Sequence, residues 1–563
     1  MKKWLVPAVA IVAVLFLIMF LWTRRERATM LLVNARVYTL NEERPVAEAV
    51  AMAGDRILDV GNSSDLQARF DADTTIDLGG RAVYPGFVDA HGHIEGLGAI
   101  SLNVNFEGTR SVAEILARIS ERIPALRPGQ WLRGRGWDQN DWESKAFPTA
   151  QDLDSITGTR PAYLVRIDGH AAWVNTAAMR AGGITALTPD PPGGKIMRDG
   201  SGNPTGVFID DAMNLVSRFI PAPTMDERTA AFRLALDTCA RYGLTEVHDM
   251  GVDSDAVKIY RGLRDEGELP IRVYGALEPG RLWEVAQQSG PDTSDRDGML
   301  TFRAVKFLAD GALGSRGAAL LEPYSDDPPN RGLTMISHDE LKTEAQKAAR
   351  AGFQVCVHSI GDRANTIVLD VFEEIAKSSN YNMKQLRFRV EHAQVLAPSD
   401  IPRFQAIGVL PSMQPIHCTS DMYWAEDRLG PVRVRGAYAW RSLLETGVII
   451  PGGSDFPVER PNPLLGFYAA ISRQDESGWP EGGWYPEQKM TREEALRAFT
   501  LWGATAAFQE SRKGRIARGF WADLTVLDAD IMTIEARKIP SVSTHMTIVG
   551  GRIVYPKIAE PLP

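Results

Sequence analysis

The chain predicts an α/β fold: a (β/α)8 TIM-like barrel with a composite small β-sandwich from both chain ends and a long insertion after the first barrel strand. Eight short apolar, β-branched runs begin near Val83, Leu244, Ile271, Phe302, Phe353, Leu386, Val409 and Val448. Segments with helical spacing lie between them, among them "SDAVKIYRGLRDEG" and "HDELKTEAQKAARAG", the second closed by Gly352. Strand and helix alternating around eight strands is the pattern of a barrel, which carries its functional residues at the strand C-termini. A third observation fits that rule. His91 and His93 follow the first run, Lys306, His358 and His392 lie in the fourth, fifth and sixth, and Asp455 closes the eighth.

Taken in order, residues 1–28 read as a membrane anchor, because 4–22 are uninterrupted by charge and long enough to span a bilayer as a helix. A cleaved signal would have a shorter apolar stretch and a small-x-small site, whereas this one runs into Thr-Arg-Arg-Glu-Arg. Lys2 and Lys3 precede it and Arg24, Arg25 and Arg27 follow, so the flanking charge does not fix its orientation. Residues 29–84 alternate like short strands with turns, as do 509–563, and the two ends are expected to pair into the sandwich. The barrel occupies 85–508. The gap after its first strand is too long for one helix, so residues near 100–225 form an insertion with its own structure, rich in tryptophan and polar groups, which reads as a pocket cover.

Composition narrows the function. A formal charge of −9 without a long basic run outside the anchor flanks argues against nucleic acid as partner. Cys239, Cys356 and Cys418 are too few and scattered for a disulfide framework. Two histidines separated by one glycine can both reach one ion, and alone they would be weak evidence. Further nitrogen and oxygen ligands on later strands raise the reading to a catalytic metal centre.

The segments "VYPGFVDAHGH", "DGHAAWVN", "VKFLADGALGSR", "VHSIGDRA", "VEHAQ", "GSDFPVERPNPL" and "KGRIARGFWADLTVLD" together resemble the metal-dependent amidohydrolase superfamily, in the branch related to N-substituted formamide deformylases. The resemblance covers nearly everything after residue 30. It implies a hydrolase acting on a carbon–nitrogen bond of an N-acyl or N-formyl small molecule through a metal-bound hydroxide. An esterase or cyclic-amide hydrolase on the same site is the alternative within enzymes, and a non-catalytic membrane-tethered binding or regulatory protein the alternative outside them. One or two zinc ions would be held by His91, His93 and Asp455 and by His358 and His392. An ammonium has no lone pair for a metal, so Lys306 is either a salt-bridge partner of Asp310 or another carboxylate or, as the resemblance implies, a carbamate bridging the ions. Asp455 doubles as general acid/base, with His248 and His170 as further catalytic candidates. Arg316, His417, Trp137 and Trp173 are candidates for substrate contact; for Arg316 loop stabilisation, for His417 a structural role and for the tryptophans plain core packing compete. Relatives with secretion signals favour an inner-membrane anchor with the catalytic domain periplasmic or otherwise extracytoplasmic, and a homodimer is compatible with this reading.

Overall fold

The computed structural model describes residues 25–166, 171–191, 194–295, 297–379 and 381–556. The apolar run at 4–22 and His170 lie outside the described residues, within which no helix is long and apolar enough to cross a membrane.

Seven parallel strands follow one another around the barrel: β1 (Phe87–Gly92), β2 (Leu244–Val252), β3 (Arg272–Leu277), β4 (Leu300–Leu308), β5 (Gln354–Ser359), β6 (Arg389–His392) and β7 (Leu410–Ser412). They are buried along nearly their whole length, as parallel strands packed on both faces must be. The eighth position is no continuous ladder. Parallel bridges Met413↔Gly452 and Gly92↔Phe456 close the ring there, and the N–H of Ala90 donates to the Gly452 carbonyl at 2.9 Å. Pro451 lacks a donor and Gly452 and Gly453 have no side chains to pack, so this segment crosses the gap without forming a regular strand.

The apolar run near Val83 divides between two sheets. Ala82–Pro85 pairs antiparallel with Leu524–Leu527, and only from Phe87 does the chain enter the barrel. Both halves are fully buried, so hydrophobicity alone shows no seam. The same pairing joins the chain ends: a six-stranded sheet mixes Arg36–Tyr38, Val46–Ala47 and Ala82–Pro85 with Leu524–Leu527, Thr544–Val549 and Arg552–Tyr555. A four-stranded sheet from residues 26–77 accompanies it, and Leu32, Val37, Val50, Ile57, Leu524 and Ile548 share one apolar core.

The helices follow local rules. In His338–Ala351 the Ser337 hydroxyl caps the start by accepting the Glu340 N–H, acidic residues fill the first turn, and Leu341, Ala345, Ala348 and Ala349 make the buried stripe. Gly352 ends it at φ 82°, a left-handed conformation that glycine adopts without strain.

Residues 95–235 form a compact unit of their own around a six-stranded sheet, whose strands run in the order Gly194–Arg198, Pro204–Asp210, Ala171–Val174, Ala162–Arg166, Leu132–Trp137, Val104–Asn105. Alternation along the strands divides its apolar residues, so that Leu164 joins Trp137, Trp142 and Trp173 while Tyr163 joins Trp131 and Phe208.

Candidate active site

Every metal-ligand type expected at the barrel mouth arrives at the C-terminal end of its strand. His91 and Gly92 end β1 and His93 follows; Lys306 lies near the end of β4, His358 in β5, and His392 ends β6. Asp455 follows the eighth position. Its N–H donates to the His91 carbonyl at 2.7 Å, which locks the first and last barrel segments together where the ligands converge. Asp455 Oδ1 is then 3.2 Å from His93 Nε2 and 3.4 Å from His91 Nε2, and Oδ2 is 3.8 Å from His417 Nε2. Behind His91 lies the fully buried Glu391, which accepts the His91 Nδ1–H at 2.7 Å. That bond leaves His91 Nε2 facing Lys306 Nζ at 3.3 Å. On β6 the His392 Nδ1–H donates to Gln414 Oε1 at 2.7 Å, which likewise leaves its Nε2 as the bare nitrogen. The His358 and His392 rings meet edge-on with centroids 4.6 Å apart.

Backbone conformation is held in unusual regions here. His392 has φ 71° and Asp455 φ 59°, conformations that cost a residue with a side chain on the order of 1–3 kcal/mol and persist where the surroundings over-determine them. Two glycines here are required by space: a Cβ on Gly92 would come within 2.4 Å of the Phe456 ring, and one on Gly453 within 2.6 Å of the His91 backbone nitrogen. Asp89 stitches the same corner, accepting from the His91 and Ser454 N–H groups and from the Ser454 hydroxyl.

The charge balance suits a cation. Burial, with Lys306 beside it, holds His91 down to about 4, and the same causes hold His358 down to about 3, so both imidazoles are neutral near neutral pH, the form with a lone pair to offer. Burial would push Asp455 up, but His91, His93, His392 and His417 outweigh it and hold the carboxyl well below its ordinary range. Burial also lowers Lys306, favouring the amine with a lone pair. Among the described residues, His358 Nε2 and His417 Nε2 are buried without a hydrogen-bond partner. Unsatisfied ring nitrogens are costly unless something else engages them. Two three-residue sets place ligand atoms within 4.8 Å of one another: His91, His93 and Asp455, and His392, His417 and Asp455. These donors fit one or two divalent ions of the zinc type.

The remaining candidates divide between the mouth and other parts of the molecule. His248 is fully buried in the barrel interior with both nitrogens taken: Nδ1 accepts from Arg389 at 2.9 Å and the Nε2–H donates to Glu246 at 3.1 Å, which leaves nothing to offer a substrate. Trp137 and Trp173 are sealed in the insertion's core, their indole N–H groups donating to the carbonyls of Leu164 and Thr149. Arg316 is engaged in a two-pronged pair with Asp326, the loop-stabilising alternative. His417 stacks on His392 and joins one of the two sets whose ligand-type atoms converge. Lys306 does not pair with Asp310, whose carboxylate accepts the N–H groups of Ala319, Ile360 and Gly361 instead. Glu391, Gln414 and Asp89, which hold His91, His392 and the corner beside Ser454, went unnoticed in the sequence; the signal for Glu391 is a charge at every second position of "RFRVEH".

A parallel barrel with imidazoles, a carboxylate and a lysine gathered at its C-terminal mouth defines a hydrolase scaffold whose donor set suits a metal ion. The chain belongs to the amidohydrolase family, whose model matches residues 74–555. It is 34% identical to the "Putative amidohydrolase YtcJ" of Bacillus subtilis over 92% of this chain and 98% of that protein. It is 27% identical to the N-substituted formamide deformylase of Arthrobacter pascens, over 93% of this chain and 98% of that one. Among solved structures, an uncharacterized metal-dependent hydrolase from Pyrococcus furiosus matches with a TM-score of 0.74 and 28% identity, covering 90% of this chain and all of that one.

Proposed function

We propose that this hydrolase cleaves the carbon–nitrogen bond of an N-acyl or N-formyl small molecule, with His91, His93, His358, His392, His417, Asp455 and a carbamylated Lys306 as its metal-holding set. The observation that carries the reading is the convergence of bare imidazole nitrogens on Asp455 and Lys306, with no hydrogen-bond partner among the described residues for His358 Nε2 and His417 Nε2. The formamide-deforming relative supports an amide over an ester. When bound, zinc would acidify a water molecule and polarise the scissile carbonyl. Asp455 takes up the proton of the attacking water at Oδ2, the oxygen turned toward His417, and returns it to the leaving nitrogen. Glu391 and Gln414 hold His91 and His392 in the tautomers that present Nε2.

Residues 4–22 are proposed to anchor this hydrolase in the inner membrane with the catalytic domain outside the cytoplasm, on the strength of their length and lack of charge. A reporter fused after Pro563 that works only in the cytoplasm would reverse that orientation. For the chemistry, the zinc-reconstituted protein is screened against paired N-formyl, N-acyl and ester compounds, and gentle intact mass is measured. Amide turnover that chelator abolishes and one added carbon dioxide on Lys306 are expected. Turnover indifferent to chelation, or confined to esters, would end the amidohydrolase reading, and an unmodified lysine in the active metal-loaded protein would end the carbamate.

A further inference from the structure

Within residues 95–235 lies a cavity of about 400 Å³, whose lining among the described residues runs from Glu95 to Ala231. Leu102, Leu126, Trp131 and Ile220 give it an apolar wall. The charged groups around it are four arginines, Arg122, Arg127, Arg133 and Arg228, against two glutamates, Glu95 and Glu227. Two of the arginines are neutralised. Arg228 grips Glu95 through both guanidinium prongs at 2.7 and 2.6 Å, and Arg127 pairs with Glu227 at 2.6 Å. Arg122 donates to the Leu102 carbonyl at 3.0 Å, and Arg133 lies opposite Tyr163 on the neighbouring strand; among the described residues neither has a carboxylate partner. Trp131 and Arg133 are two residues apart in extended chain, so the indole and the guanidinium lie on the same face.

We infer that this cavity binds an amphipathic organic anion: a carboxylate taken by the unneutralised Arg122 and Arg133, and an apolar body laid against Trp131 and its aliphatic neighbours. A concave site of this volume with an apolar wall and few polar groups is the ordinary construction of a small-molecule site. The sign of the ligand follows from charge. A cationic head would meet an excess of two positive charges, and a neutral apolar molecule would strip water from two guanidinium groups and give them nothing in return. A carboxylate matches the guanidinium fork in geometry as well as sign.

Three probes of one skeleton test this on the full chain by calorimetric titration: 4-phenylbutyrate, 4-phenylbutanol and 4-phenylbutylamine. Saturable binding of the acid is expected, with the alcohol weaker by at least about tenfold, the value of one charge-assisted hydrogen bond, and no measurable binding of the amine. Arg122→Ala with Arg133→Ala should weaken the acid by at least about tenfold, and Leu126→Trp, which keeps the charges and fills the space, should abolish binding. Arg133→Gln alone, at an exposed side chain, serves if the double variant fails to fold. Equal affinity for acid and amine, unchanged acid binding in the arginine variants, or no saturable binding by the wild type would each overturn the assignment. Since the variants lie in the insertion, a carboxylate held by the barrel histidines would be insensitive to them, and the result stands apart from the amidohydrolase chemistry.

Discussion

Two groups of buried histidines occupy one barrel and differ in whether their nitrogens are saturated. In the interior, His248 belongs to a chain of alternating charge: Lys513 pairs with Glu246, Glu246 accepts from His248, His248 accepts from Arg389, and Arg389 contacts Glu391. At the mouth, His358 and His417 each keep a ring nitrogen with no hydrogen-bond partner among the described residues. The difference teaches how to tell a structural imidazole from one available for chemistry. Burial does not separate them, since His417 and His248 are both buried. What separates His358 and His417 from His248 is the number of satisfied nitrogens, whereas His91, with Nδ1 on Glu391 and Nε2 3.3 Å from Lys306 Nζ, is told apart by its neighbours at the mouth. Glu391 belongs to both groups, contacting Arg389 on one side and accepting from His91 on the other.

The largest effects are expected at the mouth. His91→Ala should remove bound metal and lower turnover by more than the roughly 10²–10⁴-fold typical of losing a general acid/base, with the fold kept. Metal analysis beside circular dichroism checks it. Full metal content with undiminished turnover would erase the distinction between the two groups. Asp455→Asn comes next: kcat should fall by about 10²–10⁴ while metal content falls less, because an amide oxygen can still ligate but cannot take a proton. A metal-replete variant turning over at the wild-type rate would transfer the proton to another group. Glu391→Gln tests the shared member. Zinc affinity should weaken by about 10–100-fold, the usual cost of losing a partner that orients a ligand histidine, and a zinc titration showing no change would mean His91 is held without it.

Much of this was legible in the chain. His91, His93, His358, His392 and Asp455 each end or follow an apolar run, and strand ends are where a barrel gathers side chains. The sandwich could be read from the alternation at both ends. The limits are physical. The seam between Pro85 and Phe87 was hidden because both sides are buried, and only pairing with Leu524–Leu527 separates them. The role of His248 depends on Arg389, 141 residues further on, and cross-strand register of that range has no local signature. Trp137 and Trp173 stood among polar residues, which suggested a pocket wall; the strands of the insertion turn them into its core. The charges two residues apart in "LTEVHD" and "RFRVEH" were the available clue to the interior chain, since alternate positions of a parallel barrel strand share one face.

The smallest effect belongs to His248, where replacement by Asn should leave turnover per folded molecule nearly intact and act on stability instead. Its loss removes two buried hydrogen bonds, so a destabilisation of about 1–3 kcal/mol is expected near pH 7.5. Burial, with Arg389 beside it, holds the wild-type imidazole well below its ordinary range, so the folded protein keeps it neutral while the unfolded chain protonates it at about 6.5. Between those values the unfolded state binds more protons, and stability therefore rises with pH; equivalently, the contribution of His248 is present above about 6.5 and is lost as pH falls below it. His248→Asn has no such titration. Its stability deficit should accordingly narrow from pH 7.5 to pH 5, by at most about 1.4 kcal/mol per pH unit below 6.5. Denaturant unfolding of both proteins across that range measures the gap. A gap that stays constant would show that His248 binds its proton equally in both states, and one that widens would show a charged imidazole inside the barrel, which the Arg389 guanidinium on its Nδ1 forbids.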